Sequence, residues 1–545
     1  MTLPWDHAAA ARRFDEAELA DQRFRADQGA LVRYYDKFLT EVGEEGAYSA
    51  VQFNRPRRLA GGLSISIPRA DMVHFDHFFA NADGEDAVIP ITVNTAAYRW
   101  DGYCTRALLV RDEEGVETVE IEAISCKQHV ATTALWASPF APILAQYPRH
   151  DIKFGGIESL FLLYMTTNLI RLQAGFWRIA NRWIDAPDWV QVGNALWPIT
   201  VVPIDLMRDS SPWRAFSARF DMGEDLIPLM DDTGVMVDAG FYLPGEDEQP
   251  APEWFVLDRP TVVLRTRNKS GSRGPTGTLL DGLISFFEEF VDDTTLKRTP
   301  NFHSQSEYEA VYATTGPFGT VRNLPWVWYR EGEYSGIGRS EVAIHKPLAT
   351  SVIVGGRSPG WVNAAIEIAM KNLLAWLGLL IGIPGLDSLY QGQLDDVFLA
   401  WAVYEDAGRI QRAGPFAQRE HVVTNSSKAF TLDGVMAGLD GLDKTKGYTS
   451  KRVTVGDGGP YIPGRDYETG DMIGFELGDW ALIDYVEDMI FTDDPDRGAR
   501  WELEIGDGSD EEDSTVKQWK RMQQFAQAFK TLFTDVGADL DLIIF

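Results

Sequence analysis

The chain has 545 residues and a formal net charge of −31, with 81 acidic against 50 basic side chains. That length suffices for several domains with real cores, and 45% hydrophobic with 24% charged residues excludes a disordered polymer. The charge excludes nucleic-acid or anionic-membrane binding through a broad basic surface, and two cysteines, Cys104 and Cys126, exclude a disulfide framework or a cysteine-based zinc site.

Met1-Thr-Leu-Pro-Trp5 has no basic-then-apolar signal pattern, so synthesis and assembly in a cytoplasm are expected. Residues 1–30 read as a helical arm rich in Ala, Arg, Glu and Asp. From Leu31 the pattern turns to strands, at Leu31–Leu39, Ser49–Phe53, Gly62–Pro68, Val88–Asn94, Tyr98–Arg106 and Val116–Ser125, with turns expected at Gly43 and Gly46. Thr118-Val-Glu-Ile-Glu122 alternates cleanly, and residues 31–140 are predicted to form a first, mainly β domain.

Residues 141–345 are predicted to be mixed α/β. Ile157–Arg178 is a strongly apolar helix candidate, strands are expected within Trp189–Met207, Trp213–Asp231 reads as a helix, and Val235–Leu243 reads as a strand. Glu246–Glu253 is an acidic surface loop. Gly271-Ser-Arg-Gly-Pro-Thr-Gly277 is glycine-rich but lacks the Lys-Ser/Thr ending of a phosphate loop, and leads into a helix expected at Leu279–Val291.

Residues 346–452 contain the longest apolar passage. A strand at Ser351–Val354 precedes Gly355-Gly-Arg-Ser-Pro-Gly360, where Ser358 suits an N-cap and Pro359 the first helical turn. Asn363, Glu367 and Lys371 fall on one helix face, after which Leu373, Leu374, Trp376, Leu377, Leu379, Leu380, Ile381 and Ile383 make the helix apolar all round, apart from a groove at Gly378 and Gly382. Pro384-Gly385 breaks it, and Leu394, Val397, Phe398 and Trp401 suggest a second, returning helix. The run Leu373–Ile383 is well short of the roughly 20 residues needed to span a bilayer. Buried core, an axial plug built through the Gly378-x-x-x-Gly382 face, and a tip that touches a membrane all fit this pattern.

A helix is expected near Ser427–Ala437, and Val453–Ile505 returns to short strands with Gly-Asp turns, predicting a second, barrel-like β domain over 453–506. Residues 507–545 are an acidic linker and a helix striped with Val516, Trp519, Met522, Phe525, Phe529 and Phe533.

Catalytic chemistry finds weak support. Gly356-Arg-Ser-Pro-Gly360 matches the G-x-S-x-G nucleophile elbow, but Pro359 has no N–H to lend to an oxyanion. His74-Phe-Asp-His77 has metal spacing only on a helix, with no further ligands near, and Asp493, Asp494 and Asp496 lack the spacing of a calcium loop. Carboxylate pairs such as Glu331/Glu333 and Asp395/Asp396 arise by chance among 81 acids. No catalytic, cofactor-binding or metal-binding residue is assigned; a cell-wall hydrolase, glycosidase or esterase, or a glycan receptor-binding protein is the alternative reading.

Several stretches, in collinear order over about residues 30–510, together resemble the minor tail proteins of actinobacteria-infecting, mycobacteriophage-like siphophages, of the type that forms the central tail hub. They are Arg99-Trp-Asp-Gly102, Trp136-Ala-Ser-Pro-Phe140, Ser211-Pro-Trp213, Asn268-Lys-Ser-Gly271 with Leu280-Asp-Gly-Leu283, Pro325–Ile337, Val352–Gly360, Ile381–Pro384, Val453–Tyr461 and Glu504–Asp507. The resemblance implies an α+β, multi-domain fold with two small β-barrel-like hub domains separated by the mixed insertion and its apolar helical hairpin. It further implies a non-enzymatic subunit of the virion tail tip, made in the host cytoplasm. Its expected partners are itself, in a trimeric ring, the distal tail protein ring, the tape measure protein, other minor tail proteins and the host envelope. No cofactor and no sequence-specific nucleic-acid binding are expected, and the acidic balance suits a lumen through which DNA slides during ejection.

Overall fold

A computed structural model describes residues 29–506, apart from 81–85, 114, 175–193, 231–232, 270–271, 274–320, 323–326, 330–336, 356–400, 424–436, 439–440, 443, 446–447, 457–460 and 478–479. The described residues are mostly β with few helices. The chain divides into two compact units, one built from 1–288, 300–341 and 452–507, the other from 289–299, 342–451 and 508–545. The N-terminal arm, the helix expected at Leu279–Val291, the apolar hairpin and the C-terminal helix lie outside the described residues.

In the larger unit, seven strands open the chain: β1 (Leu31–Tyr35), β2 (Glu41–Glu45), β3 (Ala50–Asn54), β4 (Gly62–Pro68), β5 (Pro90–Asn94), β6 (Arg99–Arg111) and β7 (Glu117–Ser125). Alternation explains them. In β4 the side chains of Leu63, Ile65 and Ile67 turn into the core while Ser64 and Ser66 do not, and in β7 Val119, Ile121 and Ala123 do the same. Gly43, expected at a turn, lies within β2 instead, opposite Tyr34; a Cβ there would strike the His74 ring, which would have to move to admit a larger residue.

The C-terminal strands Tyr448–Gly456, Met472–Leu477, Trp480–Asp493 and Arg500–Ile505 join the same sheet. The joint is an antiparallel pairing of β3 with the end of Trp480–Asp493, with Phe53 opposite Phe491 and Asn54 opposite Ile490. The sheet runs through Arg500–Ile505, Trp480–Asp493, β3, β4, β7, β6, β5, β1 and β2, and among the described residues no pairing closes it into a barrel. One hydrophobic core serves both ends of the sequence, from Val32 and Phe53 to Phe491, Trp501 and Ile505.

A second core in this unit surrounds the helix Ile157–Gln173, whose buried Ile157, Leu160, Phe161, Tyr164, Met165 and Leu169 follow helical spacing. Asp209 caps its start, accepting the Ser159 N–H at 3.0 Å. Against it lie Val235–Tyr242 and Thr261–Asn268, paired antiparallel, with Ile199–Val201 parallel to the latter.

The helix expected at Trp213–Asp231 is corrected. Trp213–Ala218 is a strand paired antiparallel with Asp151–Gly156, followed by a turn at Phe220, where φ is +74°, a two-residue strand and the 3-10 helix Gly223–Leu226. Trp213 and Phe216 pack as readily on a sheet as on a helix, and the open edge of Asp151–Gly156 decides between them.

The smaller unit contains a three-stranded sheet, with Ser351–Gly355 central, Trp401–Glu405 antiparallel on one side and Glu420–Val423 parallel on the other. Trp401 is therefore in a strand, not in the helix expected to end there; Leu394, Val397 and Phe398 lie outside the described residues. The helix Ala407–Ala413 follows, capped by Asp406, which accepts the Arg409 N–H at 2.9 Å. Among the described residues no helix is long and apolar enough to cross a membrane.

Candidate functional site

The residues singled out for a tip or plug, Leu373, Leu374, Trp376, Leu377, Gly378, Leu379, Leu380, Ile381, Gly382 and Ile383, lie outside the described residues, as does Ser358. Their point of attachment does not. Gly355 pairs with Trp401 across the antiparallel ladder, so the chain leaves and re-enters the sheet at neighbouring positions. Paired Cα atoms stand about 4.5–5.5 Å apart, so Gly355 and Trp401, the described residues that flank 356–400, lie side by side.

Of the other sequence candidates, Glu331, Glu333, Asp395 and Asp396 lie outside the described residues, and the histidine and aspartate groups have ordinary structural partners. His74 packs edge-on against Tyr34, and the His77 Nε2 lies 3.1 Å from the Tyr35 carbonyl. Asp494 accepts the N–H groups of Asp496 and Arg497 and pairs with Arg500 at 2.6 Å, closing a turn, while Asp493 accepts from the Tyr48 hydroxyl at 2.6 Å. Among the described residues no group of three or more His, Cys, Asp or Glu could hold a metal ion.

The most developed polar site is one that sequence reasoning missed, a buried ionic seam between the two cores of the larger unit. Asp238, on Val235–Tyr242, lies 3.5 Å from Arg55, 3.5 Å from Arg265 and 2.9 Å from Arg267. Glu468 continues the chain of charges, at 2.9 Å from Arg55 and 2.7 Å from both Arg267 and Lys269, and Lys269 reaches Asp471 at 2.8 Å. The Arg55 guanidinium also lies over the Tyr98 ring, 4.2 Å from its centre. Beside it Arg57 pairs with Glu487 at 2.7 Å, and the Lys127 ammonium donates to the Arg57 carbonyl at 2.6 Å. The only sequence signal was basic clustering in an acidic chain, Arg55-Pro-Arg-Arg58 and Arg265-Thr-Arg-Asn-Lys269; nothing local pointed to Asp238 and Glu468 as the partners.

A second tie uses the Arg99-Trp-Asp-Gly102 motif. Trp100 fills the first core, while Asp101 accepts from Arg99 at 2.9 Å and from the Phe241 N–H at 2.8 Å. Arg99 reaches on to Asp247 at 2.8 Å, so β6 is fastened to the strand and loop of the second core. A Cβ at Gly102 would strike the Ile124 carbonyl and the Trp100 ring.

These ties set opposing pH dependences. Burial works against the Asp238 and Glu468 charges, but Arg55 and its basic neighbours prevail and hold both carboxyls below their ordinary values of 3.8 and 4.5. Their stabilisation is present above those values and is lost as pH falls through the still lower folded-state values. Asp101 behaves oppositely, because burial outweighs Arg99 and pushes its carboxyl up to about 6. Its contribution is fully present below the ordinary 3.8 and is lost as pH rises through about 6. Thermal melts across pH should therefore show a loss of stability on strong acidification. Asp101→Asn should flatten the dependence between about pH 4 and 6; an unchanged slope there would remove Asp101 as its source.

The profile of a family described as Siphovirus ReqiPepy6 Gp37-like protein matches residues 31–507. The chain is similar to the minor tail protein Gp28 of Mycobacterium phage L5, 23% identical over 478 residues, spanning 76% of this chain and 80% of that protein. It is likewise similar to the minor tail protein Gp28 of Mycobacterium phage D29, 24% identical over 480 residues, with 76% and 80% covered. Among solved structures, the prophage MuSo2 43 kDa tail protein from Shewanella oneidensis aligns over 87% of this chain and 98% of that one, with 10% identity and a TM-score of 0.38.

Proposed function

The chain belongs to the Siphovirus ReqiPepy6 Gp37-like family, a family of phage tail proteins, and from that premise we propose that this minor tail protein is the central hub of the tail tip. In this reading copies close into a trimeric ring whose β regions act as barrel-like hub domains under the distal tail protein ring. The tape measure protein and other minor tail proteins are the further neighbours, and the ring gates DNA on its way to the host envelope.

The observation that carries the proposal is the shared sheet. Strands from residues 31–125 and 448–505, joined by Trp328–Tyr329 and Ile337–His345 from the chain between them, form one sheet with one core. In the smaller unit Gly355 and Trp401, which flank residues 356–400, are paired. An apolar tip carried between them can be shielded by its copies near an axis, then exposed on host contact. Its large side chains offer roughly 1.5–3 kcal/mol each on burial, enough together to hold a membrane surface.

Electron microscopy of intact particles carrying a labelled subunit tests the position: density on the tail axis is expected, and density at the periphery would replace the hub by a receptor-binding role. Trp376→Asp and Leu380→Asp should spare particle assembly and reduce DNA delivery. If either abolishes folding of the isolated subunit, the hairpin is ordinary core and the gating role falls.

A further inference from the structure

Two exposed apolar surfaces of opposite rim charge stand out among the described residues. The first is the loop 138–148. Gln146 clamps it from within, accepting the Ser138 N–H at 2.9 Å and donating to the carbonyls of Ser138, Ala141 and Pro142 at 3.1 Å each. The Ser138 hydroxyl closes the neck on the Tyr147 carbonyl at 2.7 Å. So held, the loop presents Leu144 at 75% and Tyr147 at 82% exposure. From Ser138 to His150 it has no acidic residue, and Arg149 is exposed at its base.

The second surface is one face of the small sheet. Register puts Val403, Ile353 and Val422 in one row across the three strands, with Trp401 beside Gly355 on the same face. Trp401, Val403 and Val422 are 51%, 58% and 45% exposed. The next row on that face is Glu405, Ser351 and Glu420, with both glutamates exposed. On the opposite face Val352 and Val354 are fully buried, and a Cβ at Gly441 would strike Val352, so that side is already packed.

We propose that the 138–148 loop of one copy docks on the Trp401–Val403–Val422 sheet face of the next, with Arg149 against Glu405 and Glu420. The signs select this pairing. Two sheet faces meeting each other would oppose their glutamate rows, and two loops meeting would oppose their arginines, whereas loop on face joins apolar to apolar and cation to anion. Such a contact is heterologous, so it propagates from copy to copy and closes a ring where the rotation permits. It deepens the self-assembly reading above and rests on it, by naming the two surfaces that meet.

The test is sedimentation of the purified full chain with two variants, Leu144→Asp/Tyr147→Asp in the loop and Val403→Lys/Val422→Lys on the sheet face. The wild type should associate with rising concentration, while each variant alone stays monomeric. Mixed in equal amounts, the variants should stop at a one-to-one dimer, because only one intact loop and one intact face meet. Melting temperature checks that each variant folds, with Tyr147→Ser and Val403→Thr as milder replacements. Arg149→Glu should weaken association by up to about fivefold, the scale of an exposed ion pair, and adding Glu405→Arg and Glu420→Arg to the same chain should restore it. A wild type that stays monomeric, variants that associate like it, or a mixture without the dimer each overturns the contact. So does a loop that binds another tail protein while self-association is unchanged. The position of the subunit in the particle is a separate measurement, so an axial subunit with unaffected variants would leave the hub standing and remove only this interface.

Discussion

Replacing Asp238 with alanine is expected to destabilise the protein by about 3–5 kcal/mol, the scale of breaking a buried ion pair from one side. Asp238 is buried with Arg55, Arg265 and Arg267 around it, the nearest guanidinium at 2.9 Å. Without it the buried Arg55 keeps Glu468 as its carboxylate partner and the Tyr98 ring beneath it, while the more exposed Arg265 and Arg267 turn to solvent. Asp238→Asn should be milder than alanine but still costly, since the amide preserves shape and loses charge. Urea denaturation of the purified chain measures both. A loss under about 1 kcal/mol for the alanine variant would mean that Glu468 alone compensates the basic cluster, and that the seam does not join the two cores as described.

Trp501→Ala is expected to cost a similar 3–5 kcal/mol through the cavity it leaves. Phe53, Phe491 and Trp501 lie opposite one another across three strands, forming an aromatic row. Trp501 meets Phe53 edge-on with ring centres 5.6 Å apart and Phe491 at 5.0 Å, and it is 1% exposed. This row is where the N-terminal and C-terminal strands become one sheet, so truncation should loosen the sheet itself. Among the described residues the indole N–H of Trp501 has no hydrogen-bond partner, which predicts that Trp501→Phe keeps most of the stability, losing under about 1.5 kcal/mol. Equal losses in both variants, read from the same denaturation curves, would contradict the packing account.

Where a segment's fate depends on its own pattern, the sequence was sufficient. The alternation in Gly62–Pro68 and Glu117–Ser125, the helical spacing from Ile157 and the short apolar run at Ser351 specify their elements, because each has one face to bury and one period that buries it. The collinear motifs also carried the tail-protein family, although their physical roles emerged only in three dimensions. Arg99-Trp-Asp-Gly102 proved to be a fastener between cores. Trp213 and Trp401 show the limit of local pattern. Aromatic residues suit either period, and both positions became strands because an edge was available, Asp151–Gly156 for one and Ser351–Gly355 for the other.

Sequence alone therefore determined the family, the acidic character, most strands of residues 31–125 and the apolar run at Leu373–Ile383. Tertiary structure alone decided that Phe53 faces Phe491, that Arg55 meets Asp238 and Glu468, and that Trp401, Val403 and Val422 share an exposed face. The reason is that register and ion pairing between distant segments depend on which edges and charges the rest of the chain leaves open, and no local window contains that information.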